Sequence, residues 1–144
     1  MGKGERRKGH DFERNVANVF RTSRLDAKRG LGQARGGGEV ADVMVKLPFS
    51  GPACHVEGLW VECKRGARTN IKRALKQATD ALEDSVSSGP EYAGYIPTAV
   101  TKDDYGISMV TMHLYDFLSI LGVMRSELPD LQGCEEKEWD ESNK

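Results

Sequence analysis

The chain has 144 residues and a formal net charge of −1 at pH 7, which fits one domain of ordinary size with a real hydrophobic core. It contains no apolar run long enough to span a bilayer, and its charged first residues lead into a polar helix without a hydrophobic signal segment. We therefore expect a cytoplasmic protein without membrane contact. The three cysteines, Cys54, Cys63 and Cys134, are widely spaced and odd in number, which favours reduced thiols over a disulfide framework or a zinc cluster.

The small net charge hides an asymmetry along the chain. Residues 1–36 carry ten basic and four acidic side chains, whereas residues 127–144 carry seven acidic side chains and two lysines. Clustered Lys and Arg suit a phosphate backbone because they replace its condensed counterions, although a solvated basic helix explains the same pattern without a ligand. We expect one domain over residues 1–126, followed by an acidic, mobile tail over residues 127–144.

Apolar residues at helical spacing predict a first helix from about His10 to Leu25, with Glu13 at the margin of the apolar stripe. A short strand, 27–29, then leads into a loop at 30–38 that contains five glycines and Arg35. The loop lacks the lysine and hydroxyl residue of a P-loop, so it does not predict a nucleotide site. It either approaches a ligand closely or serves as a passive linker.

The middle of the chain predicts a hairpin followed by a helix. Strand patterns over 40–47 and 59–65 are joined through a turn at 48–52, which contains two prolines and a glycine. Thr69 or Asn70 is the expected cap of a helix that ends at Gly89-Pro90.

Two more strands, 95–101 and 107–113, precede a short helix at 115–123 that is expected to close the domain through Phe117, Leu118 and Leu121. The order of helix, hairpin, helix, strands and helix predicts a single-domain α/β sandwich around a central mixed sheet.

The run Val61-Glu62-Cys63-Lys64 carries an acid and a base two residues apart on a strand. Since side chains alternate along a strand, Glu62 and Lys64 share one face and Cys63 lies on the other. If the strand after Asp42 pairs with this one, the two carboxylates converge to hold a divalent cation, with Lys64 beside the metal-bound water. A solvated strand face with a weak ion pair is the alternative for Glu62 and Lys64 alone.

Together these motifs resemble the PD-(D/E)xK nuclease superfamily, and within it the archaeal-type and phage Holliday junction resolvases. The resemblance covers about residues 8–123. Its five elements occur in the family's order, and they are Lys8-Gly9 before Glu13, Arg29 before the glycine-rich loop, Ala41-Asp42-Val43, Glu62-Cys63-Lys64 and Gln77 in the second helix. The resemblance implies a homodimer that nicks two opposing strands of a four-way DNA junction with Mg²⁺. A phage-encoded member would act in the host cytoplasm.

The resemblance also implies roles for individual residues. Asp42 and Glu62 bind Mg²⁺, for which Mn²⁺ can substitute, together with the Cys63 backbone carbonyl, while Glu13 binds directly or through water. Lys64 orients or helps to deprotonate the attacking water, and Gln77 steadies Lys64 or that water. The products carry a 5′-phosphate and a 3′-hydroxyl. The expected contacts to the DNA backbone are Lys8, Arg29, Arg35, Arg65, Lys72 and Arg73.

Other interpretations stay open at this point. Glu13 also fits an acid that complements a helix dipole, Gln77 a plain surface residue, and Cys63 a buried packing residue. A nickase, repair or restriction-type endonuclease of the same fold would keep the catalytic residues and act on other DNA. A DNA-binding protein without catalysis would keep only the basic face, and it has no use for acids that face phosphate.

Overall fold

The computed structural model describes residues 2–30, 40–48 and 56–126, which form three α-helices and one five-stranded mixed sheet. A short 3-10 helix, Pro90–Tyr92, precedes the fourth strand. This arrangement confirms the predicted single-domain α/β architecture. The elements in chain order are α1 (Lys3–Thr22), β1 (Asp26–Arg29), β2 (Val43–Lys46), β3 (Gly58–Gly66), α2 (Ile71–Ser88), β4 (Tyr95–Asp103), β5 (Met109–Thr111) and α3 (Leu114–Ser126).

The strands lie side by side in chain order, with β3 at the centre of the sheet. β3 runs antiparallel to β2, with Val61 opposite Val43, and this pairing confirms the predicted hairpin. It runs parallel to β4, a pairing that requires a crossover connection, which α2 supplies. The pairing of β2 with β3 stops at Val43, so the second half of β3, from Glu62 onwards, extends beyond β2.

Two apolar layers attach the helices to opposite faces of the sheet. On one face, Phe12 and Val16 of α1 pack with Val61 and Cys63. On the other, small residues of α2 such as Ala78 pack with Trp60. The alternation of side chains along β3 therefore sends neighbouring residues into different layers, as the strand pattern predicts.

The first helix is longer at its start than predicted. It begins at Lys3 rather than near His10, because the polar residues before His10 carry no apolar stripe that periodicity could detect. It ends at Thr22 rather than Leu25, since Arg24 adopts a left-handed conformation with φ 65°. β2 begins later than the predicted strand, at Val43 rather than at residue 40, because Asp42 lies at a bend.

The last helix does not close the domain as predicted. Ile120 packs against the core, but Phe117, Leu118 and Leu121 are 47%, 48% and 43% exposed. The preceding strand is also shorter than expected, spanning Met109–Thr111. The helix thus forms where the pattern predicts it, while most of its apolar side chains lack cover in the described part of the chain.

Some predictions fall outside the described residues and stay predictions. They concern the glycine-rich loop after Gly30 with Arg35, most of the hairpin turn, Cys54, and the acidic tail from residue 127. Within the described residues, no helix is both long and apolar enough to cross a membrane.

Candidate active site

The side chain of Asp42 continues the sheet where β2 stops. Its Oδ2 accepts a 2.8 Å hydrogen bond from the backbone N–H of Cys63, and its own carbonyl accepts one of 3.0 Å from Gly30 N–H. In a strand, the N–H and C=O of one residue point to the same edge, so the Cys63 carbonyl also faces the Asp42 side. The carboxylate is therefore fixed beside the residue that separates Glu62 from Lys64.

Glu62 and Lys64 form an ion pair on the α2 face of the sheet. Lys64 Nζ lies 2.9 Å from Glu62 Oε1, and Glu62 is only 6% exposed. A carboxylate removed from water needs a charged or hydrogen-bonded partner, which the ammonium group supplies. The interpretation of Glu62 as part of a solvated strand face is therefore wrong.

Negative charge accumulates around Asp42. Burial, followed by the nearby Glu62 carboxylate, raises the pKa of Asp42 from 3.8 to about 7, and Glu13 adds a smaller increase. The hydrogen bond from Cys63 and the charge of Lys64 act in the opposite direction but do not cancel the rise. Too little positive charge thus lies near the ionised form of this carboxyl group, and a bound cation would provide it.

Glu13 reaches the same region from α1. Its Oε2 lies 3.0 Å from Arg29 Nη2 and 3.5 Å from His10 Nδ1, and the Arg29 side chain is 22% exposed. The sequence indicated Arg29 only as a DNA contact, and the structure adds this partnership. Arg29 holds the Glu13 carboxylate in one position, beyond the role of a helix acid that complements the dipole.

Cys63 is a buried packing residue, as predicted. Burial and then the carboxylates of Asp42, Glu13 and Glu62 raise the pKa of its thiol, and the residue is 8% exposed. The thiolate is the reactive and metal-binding form of cysteine, so this side chain stays protonated and takes no chemical role.

Two grooves meet at Lys64, Arg65 and Gly66. The first groove has a volume of about 500 Å³ and lies between the start of α1, Asp42 and the turn after β4. The second groove has a volume of about 290 Å³ and lies against the start of α2. A third cavity of about 520 Å³, beside Val40 and the end of α2, contains none of the predicted catalytic residues.

The grooves bring most of the predicted site residues together. Lys8, Glu13, Asp42, Cys63, Lys64 and Arg65 line the first groove, and Arg73 and Gln77 line the second beside Lys64 and Arg65. Glu62 lines neither groove, because it is buried and covered by Lys64. Lys72 is exposed on α2 but also lines neither groove.

Sequence reasoning missed other residues that line these grooves. Asp104 Oδ1 lies 3.8 Å from Arg65 Nε and 4.0 Å from Lys8 Nζ, which links the turn after β4 to two predicted DNA contacts. This oxygen is buried and has no hydrogen-bond partner among the described residues. The acid pair Asp103-Asp104 lies between the predicted strands 95–101 and 107–113, where the sequence predicted no functional role. The other charged or titratable groove residues that it missed are Glu5, Arg6, His10 and Arg68.

The oxygen groups at this site fit a divalent cation that retains several waters. Asp42 and Glu62 are hard oxygen donors, and Mg²⁺ is commonly bound by one or two carboxylates, with water in its other positions. Among residues 2–30, 40–48 and 56–126, no three His, Cys, Asp or Glu side chains are close enough to hold an ion by themselves. The carboxylates of Asp42 and Glu62 and the Cys63 carbonyl are the candidate donor set, and Glu13 affects the pKa of Asp42 less than Glu62 does.

Comparisons with known proteins leave the function to be argued from this site. No protein-family model matches the chain, and no curated protein matches it. Among solved structures, the chain is similar to Hjc, a Holliday junction resolvase from the archaeal hyperthermophile Archaeoglobus fulgidus, with 12% sequence identity and a TM-score of 0.49. The similarity covers 71% of this chain and 73% of that chain.

Proposed function

We propose that this chain is a metal-dependent endodeoxyribonuclease that nicks opposing strands of four-way DNA junctions. The observation that carries the proposal is the hydrogen bond that fixes the Asp42 carboxylate on the N–H of Cys63, the residue that separates Glu62 from Lys64 along β3. Carboxylates repel phosphate, so a protein that only binds DNA gains nothing from placing Asp42 in a groove rimmed by lysine and arginine. A catalytic site uses both the carboxylates, which hold a cation, and the lysines and arginines, which bind phosphate.

Mg²⁺ or Mn²⁺ would be held by Asp42, Glu62 and the Cys63 carbonyl, and Glu13 would act directly or through water. Such an ion, when bound, supplies Lewis-acid stabilisation of the scissile phosphate and activates water. Arg29 keeps the Glu13 carboxylate directed to the site through the 3.0 Å contact.

Lys64 and Gln77 would support the chemistry from the α2 side. Lys64 lies where the two grooves meet, so its ammonium group can orient the attacking water, favour deprotonation of that water through its positive charge and neutralise charge on the phosphate. Gln77 lines the second groove with Lys64 and would steady that lysine or the water. The expected products are a 5′-phosphate and a 3′-hydroxyl.

The predicted DNA contacts surround this centre. Lys8 and Arg65 line the first groove and Arg73 the second, so each can meet a phosphate oxygen close to the scissile bond. Lys72 follows on the exposed surface of α2. Arg29 and Arg35 complete the proposed set.

Two opposing cuts require two catalytic centres, and each chain supplies one. We therefore assign the apolar surface of β5 and α3 to contact with a second copy of the chain. Homodimer interfaces are rich in apolar side chains and self-complementary about a twofold axis. The exposed members of this surface are Met109, Val110, Leu114, Tyr115, Phe117, Leu118 and Leu121.

The decisive experiment compares cleavage of a labelled four-way junction with cleavage of a sequence-matched linear duplex, in Mg²⁺ and in EDTA. We expect paired nicks in the junction, little cutting of the duplex and no cutting in EDTA. Equal cutting of both substrates would replace the resolvase with a nickase or repair-type endonuclease of the same fold. Binding without any cutting would favour a non-catalytic DNA-binding protein.

Asp42→Asn tests the metal site in the same assay, because it keeps the shape of the side chain and removes its charge. Asp26→Asn is the matched control, since Asp26 is an exposed carboxylate at the first position of β1, opposite Lys46, and lines neither groove. We expect Asp42→Asn to lose cleavage and Asp26→Asn to retain it. Full activity of Asp42→Asn would refute the catalytic assignment.

A further inference from the structure

The second groove differs from the first in its charge. Four carboxylates, Glu5, Glu13, Asp42 and Asp104, line the first groove among its basic residues. The lining of the second groove contains no carboxylate among the described residues, while four cationic side chains border it, Lys64, Arg65, Arg68 and Arg73. A polyanion is therefore attracted to the second groove without the repulsion that the first groove exerts.

Two of the four cations already have acidic partners. Lys64 is paired with Glu62, and Arg65 Nε lies 3.8 Å from Asp104. Within the described residues, neither Arg68 nor Arg73 forms an ion pair through its side chain. Their guanidinium groups offer planar, double hydrogen bonding that matches a phosphate.

The backbone that carries these arginines is held in place. Thr69 donates two hydrogen bonds to Asp103 Oδ1, from its N–H at 2.9 Å and from its hydroxyl at 2.8 Å, which fastens the segment before α2 to the end of β4. The Asn70 side chain accepts a 2.9 Å hydrogen bond from the Arg73 N–H. Arg68 and Arg73 thus project from a fixed frame, which lowers the entropy cost of binding.

We infer that the second groove binds one phosphate of the cleaved DNA strand next to the scissile phosphate, through Arg68 and Arg73. This inference rests on the proposed nuclease function, and it assigns Arg68, which the sequence did not indicate, a role in positioning DNA. The grooves share Lys64, Arg65 and Gly66, so a strand that crosses the catalytic centre passes from one groove into the other. A volume of about 290 Å³ is nearly ten times the share of one water in the liquid, enough for a phosphodiester group.

The first test measures binding without cleavage. The chain with Asp42→Asn is titrated with a fluorescent four-way junction in EDTA at several salt concentrations, with and without Arg68→Gln and Arg73→Gln together. We expect the two added substitutions to weaken binding roughly ten- to hundredfold and to reduce the salt slope by about two. Circular dichroism checks that both proteins are folded.

Arg24→Gln is the control for the loss of one positive charge outside the grooves. Arg24 is an exposed arginine beyond the far end of α1, and it lines neither groove. We expect it to leave binding essentially unchanged. An equal loss for Arg24→Gln, or no loss for the groove substitutions, would overturn the inference.

The second test finds the phosphate itself. Single phosphates near the cut are replaced by neutral methylphosphonates, one position at a time, and binding is measured for both proteins. At one position next to the scissile phosphate, we expect the replacement to weaken binding by the protein that has Arg68 and Arg73. Binding by the protein that lacks these arginines should not change. If the effect of the methylphosphonate simply adds to that of the arginine substitutions at every position, a direct contact is contradicted. The arginines would then act on binding only through the fold.

The tests separate this inference from the proposed function. Normal junction cleavage by a protein with Arg68→Gln and Arg73→Gln, at unchanged KM, overturns the inference and leaves the nuclease intact. A groove-dependent phosphate contact in a wild-type chain that cuts no DNA would refute the nuclease and, with it, an assignment next to a scissile phosphate. If the nuclease function and the phosphate contact are both correct, the groove substitutions raise KM and largely preserve kcat.

Discussion

The centre of the sheet and its β5 edge differ in how far their apolar side chains are buried. On β3, the four consecutive residues Trp60 to Cys63 are all buried, because α1 covers one face and α2 the other. On β5, Met109 and Val110 are 42% and 59% exposed, and α3, the next helix along the chain, also carries exposed apolar side chains. The centre is completed within one chain, whereas the edge presents the kind of apolar area that proteins use for contacts.

The same comparison holds for charge. The well-covered centre also contains Glu62, buried and paired, and Asp42, whose pKa is raised to about 7. Such groups reduce stability, and a closely packed surrounding is needed to hold them. The exposed edge carries no comparable group among the described residues. We therefore expect substitutions at the centre to change catalysis and stability, and substitutions at the edge to change assembly.

The largest effect is expected for Asp42→Asn. Loss of this carboxylate should reduce the single-turnover cleavage rate about a thousandfold or more, because it removes a ligand of the proposed cation. The same change should increase the free energy of unfolding in EDTA at pH 8 by an amount on the order of 1–4 kcal/mol, since asparagine carries no charge into the buried site. Urea unfolding measures the second effect, with Asp26→Asn as control. A less stable Asp42→Asn protein would contradict the account of the charge.

The pH dependence of stability follows from the same residue. The folded-state pKa of Asp42 is about 7 and its ordinary value is 3.8, so the folded chain binds more protons than the unfolded chain between these values. The contribution of Asp42 to stability is therefore present at low pH and is lost as the pH rises from about 4 to 7. Urea unfolding in EDTA across this range should show a decrease in the free energy of unfolding with rising pH that is absent from Asp42→Asn. Identical pH profiles for the two proteins would refute it.

Gly30→Ala should disturb the centre through the backbone. A Cβ at Gly30 would lie 1.9 Å from the Ala41 carbonyl oxygen, on the segment that carries Asp42. We expect a loss of about 2–4 kcal/mol in the free energy of unfolding, a value typical of severe steric substitutions. Gly9→Ala is the control, because a Cβ there meets nothing within 4 Å and alanine favours the helix. Equal stability of the two variants would contradict the close approach.

Leu118→Glu should affect the edge without unfolding the chain. Leu118 is 48% exposed, so a charge there should cost little within one chain but should weaken self-association roughly tenfold or more, as measured by sedimentation. Ile120→Ala, on the same helix, should instead lower stability by about 1–2 kcal/mol, since Ile120 packs against the core. Unchanged association of Leu118→Glu would show that this surface is not the dimer contact.

The smallest effect is expected at the start of α2. Asn70→Ala removes the acceptor of the Arg73 N–H and should reduce the free energy of unfolding by about 1 kcal/mol. Asn70→Asp keeps an acceptor at this position and should stay close to the wild type in thermal unfolding. A similar loss in both variants would mean that the cap itself is not responsible.

Local patterns were sufficient to predict the order of elements and part of the site. Period-two alternation assigned Glu62 and Lys64 to one face and Cys63 to the other, and the ion pair at 2.9 Å agrees with this assignment. One of the two candidate caps, Asn70, was also correct. Each of these features depends on residues close together in the chain, whose relative directions are set by strand or helix geometry.

Tertiary structure decided the contacts between distant segments. The pairing of Arg29 with Glu13 and of Asp104 with Arg65, and the grouping of Arg68 with Arg73 in a groove without carboxylates, depend on sheet register and on where α2 crosses. The exposed apolar surface of α3 is of the same kind, because a periodic pattern shows which side chains are apolar but not whether another element covers them. The sequence by itself determined which residues are candidates for the proposed chemistry, and the packing of the sheet determined their partners.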